Sequence, residues 1–112
     1  QFWLIVYNDN VALPTLEWIF YRRFFYHNIP ALFTENFIKT SNERGLSYFD
    51  GFQIYFVQST ENTVLNPFKK DKIAALELEN FLLKKGLQPA KIIYGNGGLP
   101  MFRVYKFTIN DL

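Results

Sequence analysis

Phe2-Trp3-Leu4-Ile5-Val6-Tyr7 is the stretch on which the fold turns: six consecutive apolar residues, all aromatic or β-branched except Leu4. A strand with one wet face alternates apolar and polar side chains, whereas an unbroken run fits a strand buried on both faces. This strand is therefore expected at the centre of a sheet.

Working outward, Asn8-Asp9-Asn10 breaks the run, and a helix is expected over residues 14–27, with Pro14 tolerated in its first turn. Leu13, Leu16, Phe20 and Phe24 form one stripe at helical spacing, and Trp18, Tyr21 and Phe25 form a second. Asn28-Ile29-Pro30 ends that helix. Residues 31–44 read as either a strand or a short helix, with strand ahead. Gly45 and Asp50-Gly51 frame a hairpin of residues 46–49 and 52–58, in which Phe52, Ile54 and Phe56 face the core.

Residues 59–65 read as a polar loop. The next helix carries full punctuation: Asn66 as N-cap, Pro67 at the first helical position, Lys84-Lys85 in the last turn and Gly86 beyond. Ala74, Leu78, Phe81 and Leu82 share one face of it, opposite Glu77, Asn80 and Lys84. Residues 91–94 and 101–109 form a last strand pair across Gly95-Asn96-Gly97-Gly98. The expected fold is α+β: a two-layer sandwich in which an antiparallel or mixed sheet of four to five strands carries two helices on one face. The ferredoxin-like βαββαβ order with an added strand is its simplest form.

The 112 residues make one domain, and a chain of this size buries roughly 60–70% of its unfolded surface. With 49% hydrophobic and 20% charged residues it falls outside the disordered class. It has no cysteine, which excludes disulfides, thiol nucleophiles and cysteine zinc sites and leaves the compartment open. Asp9, Glu17 and Arg22-Arg23 interrupt the N-terminal region, so no apolar run reaches the ~18–20 residues of a membrane span. The chain opens at Gln1 directly in a strand-like run and reads as a domain excised from a larger protein. Residues 1–68 hold four basic and six acidic side chains and residues 69–106 hold eight and three, so the second half carries a net of five positive charges. Such a bias attracts anions, although lysines around a helix are usually a solvated face.

Chemistry-bearing motifs are few. The glycine-rich segment at residues 95–98 lacks the following helix that a phosphate cradle needs, and is read as a hairpin turn. His27 is the single histidine and suits a helix C-terminus; no metal site and no cofactor are expected. Asn8, Asp9 and Asn10, at the carboxyl end of the central strand, are the candidate ligand-binding residues, with capping and Asx-turn roles as the plainer reading. No second carboxylate or histidine can be placed beside Asp9, which sets binding ahead of catalysis. Trp18, Tyr21, Arg22 and Phe25 are the candidate interface. Burying one such ring is worth about 1.5–3 kcal/mol, and aromatic and Arg side chains are enriched at protein interfaces. A neighbouring segment of the same domain could equally cover these rings.

Two local resemblances bear on function. Arg44-Gly45-Leu46-Ser47-Tyr48-Phe49 resembles the RNP1 strand of RNA-recognition motifs, with Leu46 and Tyr48 at the positions of the stacking aromatics; it implies nucleic-acid binding. Asn8-Asp9 and Phe24-Phe25 are spaced similarly to the first strand and helix of the Clp-protease N-degron adaptors. That likeness implies a peptide's amino terminus held at Asn8 and Asp9, with Asn42 standing where the family has a histidine. The leading expectation is a non-catalytic binding or interaction domain that meets a protein partner, or a second copy, through the first helix. The rings beside Arg22-Arg23 would also suit a membrane surface, as the soluble domain of a membrane-attached protein would need. Nucleic acid ranks below both, and a small enzyme or peptide-binding adaptor is the remaining alternative.

Overall fold

The computed structural model describes residues 2–7, 31–59, 69–94, 96–98 and 100–112. Among these, five strands and two helices form an α+β unit with a mixed sheet. The strands are β1 (Phe2–Tyr7), β2 (Ala31–Phe33), β3 (Phe52–Ser59), β4 (Lys91–Tyr94) and β5 (Pro100–Phe107), and the helices are α1 (Thr34–Arg44) and α2 (Lys69–Lys84). The sheet order is β2-β1-β3-β5-β4.

The apolar opening run behaves as its composition demands. β1 lies between β2 and β3, parallel to both, with Tyr7 level with Phe33 on one side and Val57 on the other. Its alternate residues enter two different cores. Leu4 and Val6 join Ile54, Phe56, Tyr105 and Phe107 under the helices, where Phe37 of α1 and Ala75, Leu78 and Leu82 of α2 close the cluster. Ile5 joins Tyr55, Val57, Ile93, Phe102 and Val104 on the opposite face, where the Trp3 ring stacks on Tyr55 with centroids 5.5 Å apart.

Four expectations need correction. The ferredoxin-like βαββαβ order is not spelled by the described elements, because β1, β2 and β3 are all parallel, as is β4, and β5 alone runs against them. α1 and α2 do share one face, but the other is buried too, which a two-layer sandwich would leave wet. Tyr55 at 3% and Val57 at 1% exposure show this.

Residues 31–44 are neither one strand nor one helix: three residues extend β2, and α1 begins at Thr34. Residues 46–49 are a 3₁₀ turn and not the first arm of a hairpin, with Phe49 turned into the core against Phe37 at 4.8 Å.

The α2 stop signal works as read. Gly86 takes φ 86°, its N–H reaches Leu83 O at 3.0 Å and the Leu87 N–H reaches Leu82 O at 3.1 Å, the paired bonds of a Schellman ending. Asn66 and Pro67 lie outside the described residues. β4 and β5 pair antiparallel as expected, with an irregularity between Ile93 and Tyr94. The segment between them is a 3₁₀ turn at Asn96–Gly98 that leads into a strand and not into a helix. Among the described residues, no helix is long and apolar enough to cross a membrane.

Candidate functional site

α2 places a carboxylate where its periodicity calls for a hydrocarbon. Glu79 lies on the same side as Ala75 and Leu82, four residues before and three after it, and is only 7% exposed. Beneath it, alternation along β5 sends Arg103 and Tyr105 to the helix face, and the register sets Gln58 of β3 directly beside Arg103. An uncompensated carboxylate here would be prohibitive. The cluster supplies its donors.

Arg103 Nε donates to Glu79 Oε2 at 2.7 Å and Nη2 donates to Oε1 at 2.8 Å, while the Tyr105 hydroxyl donates to Oε2 at 2.6 Å. Burial pushes the Glu79 pKa up, but hydrogen bonds from Arg103, Tyr105 and Gln58, with the Arg103 charge, outweigh it and hold the group below its ordinary range. The bond to Glu79 raises Arg103 in turn. Burial and the bond to Glu79 push Tyr105 up to about 12. The arrangement is a charge-assisted clamp: its carboxylate is engaged, and its guanidinium is held in one orientation.

A second feature lies in the seam between the helices. A cavity of about 320 Å³ opens there between Phe37 and Ile38 of α1 and Leu78 and Phe81 of α2, closed at one end by Leu46 and Leu112. A shallower recess of about 260 Å³ continues along Ile38, Ile73 and Ala74, with Glu35 and Glu77 at its rim. The larger cavity is lined mainly by apolar side chains, with Ser41, Asn42 and Glu77 among them, and the Ser41 hydroxyl donates to Phe37 O at 2.9 Å. Among the described residues no group of three His, Cys, Asp or Glu side chains could hold a metal ion.

The residues singled out from sequence fare unevenly. Asn8, Asp9 and Asn10, the interface set Trp18, Tyr21, Arg22 and Phe25, and His27 all lie outside the described residues. The RNP1-like segment is corrected: Arg44 ends a helix, and Leu46 and Tyr48 sit on a 3₁₀ turn and not on a sheet strand. The Tyr48 ring is exposed, with the Arg44 guanidinium 5.0 Å from its centroid. Asn42, matched to the adaptor family's histidine, lies on α1 at the helix seam.

Sequence reasoning missed Gln58, Glu79, Arg103 and Tyr105. The available signal was the spacing Ala75–Glu79–Leu82, an acidic residue inside an apolar stripe.

Comparison of this chain with protein-family models, with curated proteins and with solved structures finds no match.

Proposed function

We propose that this chain is a binding domain whose ligand is held at the carboxyl edge of β1 and β3, where Asn8, Asp9 and Asn10 follow the last residue of β1. The observation supporting this is the strand order. The chain leaving β1 goes to β2 on one side, and the chain leaving β3 goes by way of α2 to β4 on the other. Parallel neighbours whose connections diverge leave a crevice at their carboxyl ends, and ligands of open sheets with parallel strands bind in such crevices. Asparagine and aspartate side chains carry both donors and acceptors for a polar ligand, and these three residues come directly after Tyr7 in the sequence. Binding is preferred to catalysis because Glu79, the one buried carboxylate among the described residues, is consumed in an ion pair.

The test is a fragment titration followed by amide NMR on the intact chain. Shifts centred on Tyr7 and Val57, abolished by Asp9→Ala with the rest of the spectrum retained, are expected. Hits confined to the seam between α1 and α2, or unaffected by Asp9→Ala, would overturn the assignment.

A further inference from the structure

Arg103 is clamped from one side only. Nε and Nη2 each donate to Glu79, and Tyr105 adds a further side-chain interaction with the guanidinium, so the edge formed by Nη1 and the second Nη2 hydrogen faces away from the carboxylate. The side chain keeps 29% of its surface in water while Glu79 keeps 10%, so the guanidinium looks outward from a buried anchor. The way out is asymmetric. On α2, Ala75 and Leu82 lean to the core side of Glu79, whereas Leu76 and Leu83, three residues before and four after it, are 47% and 40% exposed. On the sheet, Arg103 has Gln58 on its core side and Ile92 of β4 on its outer side. Ile92 is 39% exposed, and Tyr94, two residues along the same strand, is 52% exposed. An oriented cationic fork is thus bordered by apolar surface that neither described helix covers.

We infer that Arg103 is the head-group receptor for a small free amphiphile: a molecule with a carboxylate or phosphate head that docks on the outer guanidinium edge and an apolar body that lies across Ile92 toward Leu76 and Leu83. A planar fork with two parallel N–H groups matches two oxygens of either head group, and Glu79 removes the entropy cost of orienting it. The exposed aliphatic side chains give the body a surface to cover. This site is separate from the carboxyl-edge site of β1 and β3 and stands or falls without it.

The experiment titrates the intact chain with octyl phosphate, octanoate and octylammonium below their aggregation concentrations, following amide shifts. Both anions should move Ile92, Arg103 and Leu83, and octylammonium should leave them in place. Arg103→Met should weaken octyl phosphate binding about tenfold or more, as loss of a charge-assisted pair implies, and Arg103→Lys should restore only part of it. If Arg103→Met does not fold, Ile92→Glu on the exposed strand edge serves instead and should also abolish binding. Equal binding of octylammonium, affinity unchanged by Ile92→Glu, or sedimentation with anionic vesicles without binding of the free amphiphiles would each overturn the proposal. Shifts confined to Tyr7 and Val57 would overturn it while supporting the carboxyl-edge site.

Discussion

At neutral pH the Glu79 carboxylate collects two N–H groups from Arg103 and the hydroxyl of Tyr105, and acid removes the charge that holds them. Its folded pKa is lowered from 4.5, so the folded chain binds this proton less readily than the unfolded one. The contribution to stability is therefore present above about pH 4.5 and is lost as pH falls through the folded value. Urea unfolding between pH 3 and 7 should show that decline, and Glu79→Gln should flatten it. The same variant is expected to lose about 2–3 kcal/mol at pH 7, less than the ~3–5 of a fully buried pair because Arg103 is partly wetted. Tyr105 works in the opposite direction. Its pKa rises from 10.0 to about 12 on folding, so stability is complete below pH 10 and declines between the two values, and Tyr105→Phe should remove that alkaline limb. None of this was legible residue by residue. Arg103 and Tyr105 look like ordinary members of an alternating strand, and Gln58 looks like the polar end of β3; only the register of β3 on β5 and the packing of α2 above them bring them to Glu79, 24 residues away from Arg103 in the chain.

Among the elements, α2 and the β4–β5 pair were readable because their punctuation is local. Gly86 illustrates the strength of such a signal: a Cβ there would meet nothing within 4 Å, so replacement acts on the backbone alone. Gly86→Ala should cost about 1–2 kcal/mol through the left-handed conformation, seen as a drop of roughly 4–8 °C per kcal/mol in thermal unfolding. Gly86→Asn should cost less. Leu82→Ala, at 0% exposure in the same helix, should cost about 2–5 kcal/mol by opening a cavity under α2. α1 escaped the reading for a physical reason. It buries only Thr34 and Phe37 fully, so its apolar stripe is too thin to announce a helical period, and the aromatic Phe33 just before it favours strand. The 3₁₀ turn at Leu46–Phe49 misled in the same way, since Phe49 earns its burial from Phe37 and Phe52 and not from a paired strand.

For the molecule as a whole, the interior place of β1, between β2 and β3, was legible from six residues, although β3 holds the centre; the order of the remaining strands was not, because parallel pairing carries no turn motif to mark it. The proposed partner surface at Trp18, Tyr21, Arg22 and Phe25 belongs to this scale. Light scattering of wild type against a Trp18→Ser/Phe25→Ser variant decides it: a larger species reduced to a folded monomer supports association through those rings, and a wild-type monomer whose variant unfolds assigns them to the interior. The pairing of Phe2 with Phe52 has a further consequence, in time rather than in space. β1 gains its β3 partner only after closure of a loop of some fifty residues, whereas β4 and β5 meet across a short turn. Long closures are slow and hairpins are fast. In pulse-labelled refolding, amides of β4 and β5 should gain protection before those of β1, so the first strand in the chain would be among the last to settle. Until it does, the most water-averse stretch of the protein remains exposed, and crowding at high concentration during refolding should favour aggregation through it.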